Sequence, residues 1–293
     1  MALAAGAPGS GPRTRRFAGF GGVLLAADVW GDESSPPLVL LHGGGQTRWA
    51  WGQAGPRLAA LGWRVVAPDL RGHGDSGWST EGAYDLDLFA EDVRALVSEL
   101  GGRPVLVGAS LGGLSSLLAA GETPRAVVRA LVLVDVAHRP DPTGVRRITK
   151  FMGGQPNGFE SVEEAAAAVS AYLPHRPRPD DQEGLRNNLR FRGRRWVWHW
   201  DPRLLDRFAG RIDRPGAAER HLAAARHANV PILLARGKIS DVVSNDIAAE
   251  FCASVPGAQR VDVANAGHMV AGDQNEHFID AIVPFLTSIR GVP

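Results

Sequence analysis

The stretch from Pro104 to Gly113 holds the chain's strongest chemical pattern. An apolar, strand-forming run (Val105-Leu106-Val107) enters Gly108-Ala109-Ser110-Leu111-Gly112, and the helix-forming segment Leu111 to Ala120 follows at once. In a strained strand-to-helix corner the serine hydroxyl projects above the carboxyl edge of a sheet, and glycines two residues to either side let neighbouring backbone pass without a Cβ clash. A hydroxyl is a weak nucleophile at neutral pH, so it needs a base, and the base needs a group to orient it. Two later segments offer both. The strand-like run Val230 to Ala235 leads into a loop carrying Ser240-Asp241, and the short run Gln259 to Val263 leads into Ala264-Asn265-Ala266-Gly267-His268. Ser110, Asp241 and His268 therefore each follow a strand, which is the geometry expected of acyl transfer by an activated serine. Asp135, at the end of the run Ala130 to Val134, competes with Asp241 for the acid's place.

The elements that must position these residues alternate as strand and helix. An opening hairpin spans Phe17 to Trp30, and buried strands follow near Leu38–Leu41, Arg64–Ala67, Val105–Val107, Ala130–Val134, Ile232–Ala235 and Arg260–Val263. Helices are predicted over Trp49–Leu61, Leu86–Leu100, Leu111–Ala120, Asn245–Ser254 and Asn275–Ser288. Such alternation predicts an α/β fold with a doubly wound, mostly parallel sheet. The pattern lapses between about His138 and Asn229, where proline and charge alternate around the strongly helical Val162 to Val169. The expected organisation is a flexible tail over residues 1–16, a core formed by 17–137 and 230–293, and a helical cap inserted as 138–229.

Four motifs give the chain a family resemblance: Leu41-His42-Gly43-Gly44-Gly45, Asp69-Leu70-Arg71-Gly72-His73-Gly74-Asp75-Ser76, Gly108-Ala109-Ser110-Leu111-Gly112 and Gly267-His268. Together they resemble the capped esterases, lipases and small-molecule hydrolases of the α/β-hydrolase fold, over about Phe17 to Leu286. The resemblance implies an eight-stranded sheet and the chain order Ser110, Asp241, His268, which is the order of this fold and not of the two serine-protease folds. It also implies that the amides of Leu111 and Gly44 form the oxyanion hole, with Gly43 or Gly45 as alternatives to Gly44; losing one such donor typically costs about 3 kcal/mol of transition-state stabilisation. His42 falls where the family has a loop-packing histidine, and Asp69 and Arg71 where it braces the rim of the site. Relatives that open epoxides or remove halide carry a carboxylate at the corner. Serine there points to acyl chemistry on an ester or related compound, with no cofactor. Lyases, cofactor-free oxygenases and C–C bond hydrolases of the same fold can use the histidine, here His268, mainly as a base, and non-catalytic receptors also share the fold.

In the cap segment, Trp196, Trp198 and Trp200 crowd one short window and are expected to line an apolar pocket for an acyl substrate, or to glue the cap to the core. Arg190, Arg192, Arg194 and Arg195 form the densest basic cluster; it could bind an anionic substrate group but reads rather as solvated faces and ion pairs. No His, Cys or Asp spacing has the pattern of a metal site. A net charge of +1 gives no case for a nucleic-acid partner. No run approaches the roughly 18 apolar residues needed to span a bilayer. The single cysteine, Cys252, rules out an internal disulfide; with no secretory pattern in residues 1–16, a cytoplasmic location is expected.

Overall fold

The computed structural model describes residues 11–124, 126–172, 183–208, 215–264, 266–268 and 275–290. Eight strands form one sheet: β1 (Arg13–Ala18), β2 (Leu24–Trp30), β3 (Pro37–Leu41), β4 (Arg64–Pro68), β5 (Val105–Ala109), β6 (Ala130–Val134), β9 (Ile232–Gly237) and β10 (Gln259–Val263). Their order across the sheet is β1-β2-β4-β3-β5-β6-β9-β10. The β1–β2 and β2–β4 pairs are antiparallel, and all other neighbours are parallel. This is the α/β-hydrolase fold.

The period-two pattern of the central strands separates two cores. Leu38, Leu40, Val65, Val105, Val107, Val132 and Leu233 pack on α1 (Ala54–Ala60) and on the last helix, α10 (Asn275–Arg290), through Leu58, Phe278, Ile282 and Phe285. Val39, Leu41, Val66, Leu106, Leu131, Leu133 and Leu234 face the other way. They meet α2 (Leu86–Leu100), α3 (Leu111–Gly121), α8 (Ala217–Ala228) and α9 (Asn245–Ser254). A strand buried on both faces reads as a continuous apolar run, which is why β3, β5 and β6 stand out in the sequence. Helices α2 and α9 have the bounds their apolar spacing predicts, and Ser244 caps α9 by accepting a hydrogen bond from the Ile247 amide at 3.2 Å.

Three boundaries differ from expectation. Residues 13–16 do not belong to a tail, because β1 starts at Arg13 and pairs with β2 from Arg13↔Val29 onward. Its sequence hides this: Arg13, Arg15 and Arg16 are exposed, and charge on an edge strand blocks pairing with another chain. Helix α8 lies inside the expected cap yet packs in the core, where Ala224, Ala225 and Ala228 join Leu117 and Leu118 of α3. The insert is also not wholly helical. Beside α4 (Pro142–Gly153), α5 (Val162–Tyr172), α6 (Glu183–Arg186) and α7 (Arg203–Phe208) it holds an antiparallel hairpin of β7 (Leu189–Arg192) and β8 (Arg195–Trp198). The turn uses Gly193 and Arg194, both at positive φ (54° and 73°), as in the type I′ connections that favour two-residue hairpins. The expected window of basic residues is thus this hairpin, and Arg190 is one of its ion-paired members: it donates to the Gly74 carbonyl at 2.7 Å and to Asp75 at 2.8 Å.

Candidate active site

Ser110 joins β5 to α3 with φ 46° and ψ −112°, a conformation that side-chain-bearing residues rarely adopt. Neighbouring backbone makes the corner possible. A Cβ on Gly108 would lie 2.5 Å from backbone atoms of Gly112 and Gly113, and one on Gly112 would lie 2.6 Å from the Leu41 carbonyl oxygen. The two glycines flanking the serine are therefore required by contact as well as by turn geometry. Ser110 and His268 line one cavity of about 420 Å³ that lies against the insert.

The carboxylate beside His268 is that of Asp135, not Asp241. His268 Nδ1 lies 3.0 Å from Asp135 Oδ2. Asp135 follows β6, is wholly buried, and is held at positive φ (47°). Its other contacts are as directed. Oδ1 accepts from the Gly237 amide at 2.9 Å, Oδ2 accepts from the Ser240 hydroxyl at 2.6 Å, and its own amide donates to the Ala235 carbonyl at 2.8 Å. The end of β9 thus does reach His268's partner, but through Ser240. Asp241, one residue on, turns outward to the Arg147 guanidinium at 2.7 Å, with its side chain 36% exposed. The chain turns as it leaves β9, with the Ser240 amide donating to the Gly237 carbonyl at 3.1 Å, and the inward position there belongs to the hydroxyl.

The glycine loop after β3 is fixed amide by amide. Gly43 N–H donates to Gln46 Oε1 at 2.9 Å, and Gly45 N–H donates to His73 Nε2 at 3.0 Å. Gly44, between them, is left with its amide uncommitted, and all three residues line the cavity. Leu111 opens α3, where a first-turn N–H has no partner within the helix. Gly44 and Leu111, which follow β3 and Ser110 respectively, thus each bring to the cavity wall an amide with no partner among the described residues.

Two buried histidines hold that loop and are not acids or bases. His42 Nδ1 donates to the Gly43 carbonyl at 2.8 Å, while its Nε2 accepts from the Leu70 amide at 2.9 Å. Burial pushes its pKa down to about 4. His73 Nδ1 donates to the Arg71 carbonyl at 2.9 Å, and burial, with His42 beside it, pushes its pKa down to about 3. Each neutral ring offers one donor and one acceptor, and both are used. Beneath them Asp69 binds the side chain of Arg48, and accepts from the Arg48 amide at 2.6 Å and the Asp75 amide at 2.8 Å. Arg71 clasps Asp92 with two bonds of 2.5 and 2.6 Å. These pairs brace the loops around the site, as the resemblance implied for Asp69 and Arg71.

The three tryptophans separate. Trp198 stands edge-on to Phe151 and Phe159 (5.7 and 5.2 Å between ring centres), and both it and the buried Trp200 line the cavity. Trp196 does not: its ring lies against Phe191 at 5.3 Å and beneath Arg186, nearer the hairpin turn. Much of the remaining wall is aliphatic, from Leu86, Leu114, Val136, Ile148, Met152 and Val242. Sequence reasoning missed Gln46, His73 and Ser240 as the side chains that fix the loop and the buried acid. Only Gln46 gave a local signal, as the residue that ends the Gly43-Gly44-Gly45 run. Among the described residues no group of three or more His, Cys, Asp and Glu side chains could hold a metal ion, and no helix is long and apolar enough to cross a membrane.

Comparison with known proteins agrees with this fold. Residues 36–273 match the family described as alpha/beta hydrolase fold. The chain is 31% identical to the esterase Rv0045c of Mycobacterium tuberculosis over 88% of this chain and 85% of that protein. It is also 31% identical to the mouse sn-1-specific diacylglycerol lipase ABHD11, over 87% of this chain and 82% of that one. An alpha/beta hydrolase from Novosphingobium aromaticivorans superposes with a TM-score of 0.81 at 28% identity, covering 95% of this chain and 99% of its own. With the family match spanning most of its length, the chain belongs to the α/β-hydrolase fold family.

Proposed function

We propose that this protein is a serine hydrolase that cleaves carboxylic esters of small to medium size through an acyl-enzyme formed on Ser110. The observation that carries this reading is the contact between His268 Nδ1 and the buried Asp135 carboxylate, on the cavity that Ser110 also lines. With Nδ1 donating to Asp135, the free Nε2 of His268 is an acceptor, suited to take the proton of the serine hydroxyl. Esters as the substrate class accord with relatives named esterase and lipase.

In this reaction the Ser110 oxygen bonds to the ester carbonyl carbon as its proton passes to His268, and the carbonyl π electrons move onto oxygen. The Gly44 and Leu111 amides stabilise that oxyanion without reorganising, because Gln46 and His73 already fix the residues on either side of Gly44. Collapse of the tetrahedral intermediate expels the alcohol, which takes the proton from His268. Water, deprotonated by His268, then attacks the acyl-enzyme, and the acid leaves as Ser110 recovers its proton. Asp135 orients the His268 ring and stabilises the imidazolium. The aliphatic wall with Trp198 and Trp200 receives the acyl part.

A fluorophosphonate probe tests the nucleophile. Labelling that maps to Ser110 and disappears in Ser110→Ala, together with loss of p-nitrophenyl ester turnover in a folded variant, is the expected result. Retained turnover in that variant would remove Ser110 from the chemistry.

A further inference from the structure

A second histidine lines the cavity beside His268 without a task in the proposed reaction. His221, on α8, is only 8% exposed and is one of the cavity-lining residues. Its Nδ1 lies 2.7 Å from the carbonyl oxygen of His138. A carbonyl oxygen can only accept, so Nδ1 carries the hydrogen; on a neutral ring Nε2 then bears a lone pair. Burial pushes the His221 pKa down, which keeps the ring neutral near physiological pH. Nε2 has no partner in the protein, yet it is not sealed off as both ring nitrogens of His138 and His199 are. His221 thus presents an accessible acceptor beside a mostly apolar space.

The charges next to it narrow what the acceptor can receive. Arg220 donates through Nε and a terminal nitrogen to Glu122 at 2.7 and 2.8 Å, and it also binds Asp87. One guanidinium therefore faces two carboxylates, so among the described residues Arg220 is no spare cation for an anionic ligand group. A neutral donor on a hydrocarbon frame suits both the wall and the nitrogen. A plain methylene there would strip water from Nε2 and give nothing back, which is how a site built to hydrogen-bond one group rejects the analogue lacking it.

We infer that His221 is a specificity-determining residue whose Nε2 accepts a hydrogen bond from a hydroxyl carried on the substrate's hydrocarbon part, away from the scissile ester. As an ester-binding role this rests on the hydrolase reading above, and binding can be measured apart from turnover.

In Ser110→Ala protein, calorimetric titration compares methyl octanoate with its monohydroxy positional isomers. At least one isomer binds about tenfold more tightly than the parent, a margin of about 1.4 kcal/mol. In a Ser110→Ala/His221→Asn variant, Asn keeps a donor for the His138 carbonyl but lacks Nε2, and the ratio between isomer and parent falls to about one. Thermal melting confirms that this variant folds. With His221 intact, p-nitrophenyl esters of the same acids show the same margin in kcat/KM. Absence of any isomer exceeding the parent by more than about twofold in Ser110→Ala protein overturns the assignment, as does a margin that survives His221→Asn. If the binding margin behaves as expected while the intact enzyme hydrolyses neither series, His221 stands as the ligand contact and the hydrolase reading fails.

Discussion

Ser240 and His268 converge on a single oxygen of Asp135: the serine hydroxyl donates to Oδ2 at 2.6 Å and the imidazole Nδ1 lies 3.0 Å from the same atom. Asp135 thus leaves the sheet at β6, and the neighbouring strand β9 anchors it through the Gly237 amide at its end and the Ser240 hydroxyl in the loop that follows. Amides of Val242 and Val243 donate to Ser240 Oγ at 3.1 Å each and fix the hydroxyl in turn.

This arrangement assigns opposite outcomes to two aspartates. Asp135→Asn is expected to lower kcat by about 10³ to 10⁴, the scale seen when the orienting acid of a Ser-His-Asp triad becomes an amide. Asp241→Asn removes only a rim ion pair and is expected to change kcat/KM by less than about twofold, in line with surface pairs. Steady-state rates on p-nitrophenyl butyrate decide it; the reverse ranking would restore Asp241 as the acid.

Ser240→Ala deletes the anchor while leaving Asp135 and His268 in place. A fall in kcat of about tenfold with KM nearly unchanged is expected, since an oriented hydrogen bond to a charged group is worth about 1.5–3 kcal/mol, of which relaxation recovers part. Ser240→Thr keeps the hydroxyl and recovers most of the loss. If Ser240→Ala raises KM and leaves kcat untouched, the residue does not act through Asp135.

The clamp on the glycine loop predicts a similar split for Gln46. Gln46→Leu frees the Gly43 amide and lets the Gly44 donor wander, lowering kcat by roughly tenfold, less than the loss of about 3 kcal/mol that removal of a whole oxyanion donor brings. The affinity for a substrate-like, non-hydrolysable amide changes little. Equal losses in affinity and kcat would make Gln46 a plain ground-state contact instead.

The two buried histidines set a pH dependence of stability. His42 and His73 are held at about 4 and about 3 in the folded protein against about 6.5 when unfolded, so from pH 6.5 downward the unfolded chain binds protons that the native state refuses. Their stabilisation is fully present above about pH 6.5 and is lost progressively as pH falls toward 4, with a slope of up to about 1.4 kcal/mol per pH unit for each ring. Urea unfolding between pH 7.5 and 4.5 measures it. His73→Gln, which retains an acceptor for Gly45, should flatten the slope; an unchanged slope would show that other groups set it.

Trp198 lines the cavity and Trp196 does not. Trp198→Ala opens the cavity wall and should lower kcat/KM for octanoyl esters about tenfold while acetate esters fall much less. Trp196→Ala loses packing on Phe191 and should lower stability by about 0.5–3 kcal/mol, with the octanoyl-to-acetyl preference intact. Matching chain-length profiles in the two variants would contradict the separation seen between the rings.

Much of this molecule was legible in its sequence because the signals are local. Apolar runs bounded by turns marked β3, β5, β6 and β9, and paired glycines around Ser110 marked a corner that backbone contact makes obligatory. His268 followed from its place after β10. Two local signals misled for physical reasons: β1 is an exposed edge whose arginines look like a tail, and α8 is alanine-rich and amphipathic whether it covers a cap or a core. What only the tertiary structure decided was which groups meet. Asp135 and Asp241 both follow strands, and no local pattern says that the loop after β9 turns Ser240 inward and Asp241 out to Arg147. Partners of a buried carboxylate are set by the register and twist of neighbouring strands, a relationship among residues more than a hundred positions apart, whereas a strand, a helix or a glycine corner is set by residues beside one another in the chain.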